Sequence, residues 1–147
     1  MSKKKNHRIA IVVSDFNPEI SKGLLSGAAK ALKKHKISGK HIKVFHCPGS
    51  FEIPLTAKTI CETGKYDALI CLGAVIKGET AHFEYISSAV LHGIAKLNLD
   101  YEIPVTFGVL TCYTEEQAIR RSSNDDNNKG AEAALAALQM LALLEKI

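Results

Sequence analysis

Apolar residues along this chain fall into two rhythms that take turns. Arg8-Ile-Ala-Ile-Val-Val-Ser14 is an unbroken, largely β-branched run rather than an in/out alternation, which is how a strand covered on both faces of a parallel sheet reads. Asn17-Pro18 then offers an N-cap with proline at the first helical position, and Ile20, Leu24, Ala28 and Leu32 recur at helical spacing until Gly39. The same pair of rhythms repeats: a short strand over residues 41–47, a helix over 51–63 ended by Gly64, and an apolar strand over 66–76. Pro54 is compatible with that second helix only if it lies in the first turn. A third helix is predicted from about His82 to Leu97 and a fourth strand over residues 104–112, after which Thr114-Glu-Glu-Gln117 forms a capping box opening a short helix.

Strands alternating with helices in this way predict an α/β three-layer sandwich with a four-stranded parallel sheet in flavodoxin-like order 2-1-3-4. Two segments depart from the rhythm. The polar stretch 121–129 reads as a loop, with Asn127-Asn128 suited to left-handed backbone. The last helix, residues 131–144, is apolar at every position except Glu132 and Gln139. With no face polar enough for solvent, it predicts a subunit interface, although alanine-rich composition also raises helix propensity by itself.

Composition narrows the class. The 147 residues, 46% of them hydrophobic, fit one domain over residues 1–147, with residues 1–7 a flexible basic tail. No apolar run reaches the roughly 18–20 residues that span a bilayer, and the basic start lacks a signal-type core, so a cytoplasmic protein without membrane association is expected. The net charge of +4 is modest and forms no basic stripe with interleaved aromatics, so no nucleic-acid partner is expected. Cys47, Cys61, Cys71 and Cys112 are widely spaced without a C-x-x-C pair, and read as small buried hydrophobes rather than a disulfide or metal framework.

In an open α/β sheet ligands bind beyond the carboxyl ends of the strands. Those ends are here Asp15-Phe16-Asn17, Pro48-Gly-Ser-Phe-Glu52, residues 73–82 and residues 111–114. Phe16 reads either as a core or staple aromatic or as a surface on which a flat heterocycle stacks. Glu52 can accept hydrogen bonds from a sugar-like chain or simply favour the start of its own helix. Gly78-Glu-Thr80 precedes a helix, where free N–H groups favour a phosphate, though such a turn also takes glycine for conformational reasons. It is no Walker A loop. His82, at the start of that helix, is either structural or a candidate for moving protons. His82-x-Glu84 lacks the P-C-x-x-C partner of a zinc deaminase. His7, His35, His41 and His92 have no comparable setting and read as surface or helix-face residues.

Taken together these segments resemble lumazine synthase, from about Arg8 to the C-terminus. The match is carried by Phe16-Asn17, Pro48-Gly-Ser-Phe-Glu-Ile-Pro54, Leu72-Gly-Ala-Val-Ile-Lys-Gly-Glu-Thr-Ala-His82, Pro104-Val-Thr-Phe-Gly108 and Glu116-Gln-Ala-Ile-Arg-Arg121, in the family's order and spacing. The resemblance implies condensation of 5-amino-6-(D-ribitylamino)uracil with 3,4-dihydroxy-2-butanone 4-phosphate to 6,7-dimethyl-8-ribityllumazine. It implies two small-molecule substrates and neither cofactor nor metal. By it, Phe16 stacks on the pyrimidine, Ser50, Phe51 and Glu52 hold its ribityl chain and edge, and Ala74, Val75 and Ile76 offer main-chain contacts. Glu79, Thr80 and Arg121 bind the phosphate substrate, and His82 transfers protons. The family's sites are shared between subunits, so Phe107, Arg121 and Lys129 come from the neighbour. A homo-oligomer follows, a pentamer or a multiple of it, leaving open a closed icosahedral shell and an association with riboflavin synthase.

The chain departs from the family in three places. Where the family commonly reads R-A-G-x-K-x-G-N-K-G, this chain reads Arg121-Ser-Ser-Asn-Asp-Asp-Asn-Asn-Lys-Gly130, with Asp125 in place of a cation. Glu79 puts a carboxylate beside the expected phosphate, and Lys77 replaces a common arginine. A non-catalytic binder of a flavin-like ligand would use Phe16 and Glu52 yet be indifferent to His82 and Arg121. A receiver-type signalling domain needs an acidic cluster after the first strand and an aspartate ending the third, where this chain has a single Asp15 and Gly73.

Overall fold

The computed structural model describes residues 6–147, so the basic residues 3–5 of the expected tail lie outside it. Strands and helices alternate as β1 (Ile9–Ser14), α1 (Pro18–Lys34), β2 (Ile42–Cys47), α2 (Ile53–Glu62), β3 (Ala68–Ile76), α3 (His82–Tyr101), β4 (Val105–Cys112), α4 (Glu115–Ser122) and α5 (Lys129–Lys146). The sheet is parallel throughout and runs β2-β1-β3-β4, the order expected from the alternation. β1 is buried at every position and β3 at all but Ile76, which is the physical origin of their unbroken apolar runs.

Because successive side chains of a strand point to opposite faces, β1 feeds two cores. Ile9, Ile11 and Val13 pack with Leu24, Leu32, Leu72, Ala134 and Leu141 under α1 and α5. Ala10 and Val12 pack with Ile53, Ile60, Phe83, Val90 and Ile94 under α2 and α3. The edge strands are less covered, and β2 is fully buried only at Cys47.

Several boundaries shift for local reasons. The second helix begins with a turn of 3-10 helix, Ser50–Glu52, and Pro54 falls at the start of α2 where its missing N–H costs nothing. Tyr66 stops short of β3 and packs edge-on against Phe45, with ring centroids 6.1 Å apart. α3 runs past Leu97 to Tyr101, because the Asn98 side chain bonds both the carbonyl and the N–H of Val105, at 2.9 and 2.8 Å. The capping box at Thr114 and Gln117 is present as read.

The loop asparagines require a correction. Neither Asn127 nor Asn128 is left-handed; the asparagine with positive φ is Asn17, at 62°, which stands before α1 without a side-chain cap. Asn128 instead is extended and buried. Its Oδ1 accepts from Ala131 N–H at 3.0 Å, and its Nδ2 donates to the carbonyls of Gly23 and Ser123 at 3.0 and 2.9 Å. One side chain therefore caps α5 and pins the preceding loop to α1.

α5 is two-sided. Gly130, Ala133, Ala134, Ala137 and Leu141 are buried, and Gly130 lies so close to α1 that a Cβ there would stand 2.0 Å from the Leu24 carbonyl oxygen. Met140, Leu143 and Leu144 face outward, 40–49% exposed. His7 sits between Asp67 and Glu145, its Nε2 3.1 Å from the latter's carboxylate. No helix among the described residues is long and apolar enough to cross a membrane.

Candidate active site

Beyond the carboxyl ends of β1, β2 and β3 lies a cavity of about 650 Å³, lined by Phe16, Asn17, residues 49–52, residues 74–76, His82, Ile86 and Glu115. Its aromatic wall is built by the backbone. Parallel pairing of β1 with β2 carries on past both strands, as Asp15 N–H donates to the Cys47 carbonyl at 2.8 Å and Phe16 N–H to the Pro48 carbonyl at 3.1 Å. Asn17 then turns the chain through its left-handed conformation into α1, and Ser21 Oγ closes the turn by donating to the Ser14 carbonyl at 2.6 Å. The Phe16 ring is left 69% exposed and Phe51 60%. Rings so exposed beside one cavity contribute little to the core.

The floor is close-packed. Asn17 Nδ2 and Ser50 Oγ both reach the Ala74 carbonyl, at 3.5 and 3.4 Å. A Cβ on Gly73 would meet Ser14 Oγ at 2.5 Å and Ser50 Oγ at 3.0 Å, so only glycine lets β3 pass beneath the loop that follows β2. Glu52 and His82 stand on the rim. His82 opens α3, and its N–H donates to Thr80 Oγ1 at 3.3 Å.

Glu79 and Thr80 face a different hollow, of about 570 Å³, shared with Lys77, Ala81, Glu84 and Tyr85. Its charges are two carboxylates and one ammonium, and Lys77 Nζ lies over the Tyr113 ring, 5.7 Å from its centroid. A phosphate there needs a further cation. Arg121, Lys129 and Phe107 are elsewhere again, in a groove of about 320 Å³ along β4. Arg121 Nη1 donates to the Gln117 carbonyl at 3.0 Å, and Lys129 Nζ pairs with Glu132 at 2.9 Å. Within one chain, then, Phe16, Ser50, Phe51, Glu52, Ala74, Val75, Ile76 and His82 share a cavity, while Glu79, Thr80, Arg121, Lys129 and Phe107 do not line it.

Sequence reasoning passed over Asn17, Ile86 and Glu115 as lining residues. Asn17 had a signal in its position between Phe16 and Pro18, and Glu115 in opening the helix after β4. It also passed over His46, whose Nδ1 lies 2.7 Å from Asp15 Oδ1 at the end of β2. All four cysteines are buried free thiols. Burial, then the Glu52 and Asp15 carboxylates, push the Cys47 thiol up to about 11, so it is a neutral buried group rather than a nucleophile. Among the described residues no three His, Cys, Asp or Glu side chains are arranged to hold a metal ion.

A family model for 6,7-dimethyl-8-ribityllumazine synthase matches residues 6–145, running from before β1 into the last turn of α5 and taking in the three hollows. The chain belongs to the lumazine synthase family, enzymes of riboflavin biosynthesis.

Proposed function

We propose that this chain condenses 5-amino-6-(D-ribitylamino)uracil with 3,4-dihydroxy-2-butanone 4-phosphate to 6,7-dimethyl-8-ribityllumazine, releasing phosphate and water, in a site completed by a neighbouring copy. The observation that carries this reading is a division of labour. An aromatic, carboxylate and imidazole surface lies at the strand ends, and a groove holding Arg121 and Lys129 lies along β4, with no residue lining both.

The uracil ring stacks on Phe16, its ribityl hydroxyls meet Ser50 and Glu52, and its edge meets the main chain of Ala74, Val75 and Ile76. The ring amine attacks the ketone and water leaves to give a Schiff base. Loss of a proton expels phosphate and leaves an enol that becomes a second ketone. The ribitylamino nitrogen attacks that carbonyl and closes the ring with loss of a second water. His82 is the rim group able to carry these protons, a contribution on the order of a hundredfold or more. Holding two reactive partners together removes several further kcal/mol of the barrier.

Phosphate docks by the Gly78–Thr80 turn, where Glu79 and Glu84 outnumber Lys77. The missing positive charge comes from the neighbour's Arg121, whose planar guanidinium suits bidentate phosphate recognition, with Lys129 and Phe107 beside it. A contact between two different faces of identical chains is heterologous, and it closes into a ring when the rotation permits. A pentamer or multiple of pentamers is the assembly proposed, with the exposed flank of α5 left for further contacts.

The experiment is to mix the purified protein with both substrates and follow lumazine fluorescence. Formation faster than the spontaneous reaction is expected. Equal rates with and without protein would leave a binder of flavin-like ligands, and sedimentation as a monomer would remove the shared site.

A further inference from the structure

The turn that presents Phe16 is fastened to the end of β2 and the residue after it by two backbone hydrogen bonds and one side-chain contact. Strand register pairs Val13 with His46 and Ser14 with Cys47. Beyond the strands, the N–H groups of Asp15 and Phe16 donate to the Cys47 and Pro48 carbonyls. Across the same junction His46 Nδ1 meets Asp15 Oδ1 at 2.7 Å, and among the described residues neither side chain has another hydrogen-bond partner. The next residue but one, Asn17, is held at φ 62°, a conformation that a non-glycine residue adopts at a cost. Phe16 thus sits between a disfavoured turn and a short side-chain contact, with its own ring bearing on no core.

We propose that the His46–Asp15 pair is a positioning device for the heterocycle-binding surface. It acts through Asp15 to keep the β1–α1 turn against the end of β2, so that the Phe16 ring stands over the cavity before substrate arrives. The inference rests on the reading of Phe16 as the stacking surface, and it assigns His46 no part in proton transfer. His46 and Asp15 are 55% and 59% exposed at their side chains. A polar contact so exposed adds little to global stability, so its effect is confined to the turn it fastens. Pre-ordering a binding surface improves affinity by reducing what ligand binding must still order.

The test uses the assembled protein and two variants. His46→Phe keeps a ring and removes the donor; His46→Asn keeps a donor close to the Nδ1 position. Expected for His46→Phe is a KM for the ribitylaminouracil raised about two- to fivefold, the range open to an exposed pair, with kcat and the KM for the phosphate substrate unchanged. Amide hydrogen exchange at Asp15 and Phe16 speeds up while the melting temperature holds, and His46→Asn restores both readouts. Unchanged exchange at those amides, a melting temperature that falls with exchange rising throughout the chain, a loss confined to kcat, or no rescue by His46→Asn would each overturn the proposal. If the wild-type protein forms no lumazine, the reaction reading fails, and the exchange measurement still decides for or against the pair.

Discussion

Phe16→Ala separates a ring kept for a ligand from a ring kept for the fold. Complete burial of a phenylalanine side chain is worth roughly 1.5–3 kcal/mol. Phe16 is 69% exposed, so its truncation costs the fold about 1 kcal/mol at most, or a few degrees in melting temperature for a chain of this size. Stacking of a flat heterocycle on an aromatic side chain is worth about 1–3 kcal/mol. At about 1.4 kcal/mol per decade, that is a rise of roughly five- to a hundredfold in KM for the ribitylaminouracil. The KM for the phosphate substrate, bound by other groups, stays near its wild-type value. Initial rates of lumazine fluorescence with each substrate varied in turn measure the split, and a thermal melt run beside them measures the fold. A KM within twofold of wild type, or a melting temperature lowered by ten degrees or more, would refute the assignment of the ring to ligand.

Three further outcomes follow from the coordinates. Gly130→Ala drives a Cβ to 2.0 Å from the Leu24 carbonyl, a backbone atom that cannot give way; a loss of about 3 kcal/mol or more is expected in denaturant melts, against little change for Gly39→Ala, where nothing lies within 4 Å. Glu79→Gln removes one of the two carboxylates beside Lys77 and is expected to lower the KM for the phosphate substrate several-fold; an unchanged KM places that side chain away from the phosphate. The Cys47 thiol is raised from 9.0 to about 11 by burial, Glu52 and Asp15, so the folded state holds this proton more tightly than the unfolded state. Its contribution to stability is therefore complete below pH 9 and is lost as pH climbs towards about 11. Melts across that window detect the fall, which the buried Cys61, Cys71 and Cys112 share because burial raises them too, and Cys47→Ser is expected to reduce it by the Cys47 share alone.

Much of the fold was legible because the sheet interior imposes itself on sequence. β1 and β3 are buried on both sides and could be written only in apolar residues, and helices of sufficient length between them leave a parallel sheet as the solution. The left-handed asparagine was misplaced because tolerance of that conformation is a property of the residue type and does not say which asparagine is forced into it. The left-handed turn falls at Asn17, where the chain passes from β1 into α1. Asn128 was instead drawn to its cap by the close approach of Gly130 to Leu24.

The site was legible in part for a related reason. The rule that ligands gather at strand ends picked out Phe16, Ser50, Glu52 and His82, which line one cavity. It could not tell that Glu79 and Thr80 face a separate hollow, since a helix start sends neighbouring residues to different sides. Nor could local pattern place Arg121 and Lys129, which one chain holds in a groove of their own on β4. His46 was invisible because its partner, Asp15, is distant in sequence and reaches it only through strand register.

A site divided between copies is tested most directly by complementation. Under the proposed roles, His82→Ala leaves every site without its proton-carrying group, and Arg121→Ala leaves every site without its phosphate cation, read as a large rise in KM for that substrate. When the two variant chains are assembled together in equal amounts, about one contact in four joins an intact His82 of one copy to an intact Arg121 of the next. Activity at limiting phosphate substrate is expected to rise on mixing to about a quarter of the wild-type level. Mixed assemblies that form and remain as inactive as either variant alone would contradict the shared site.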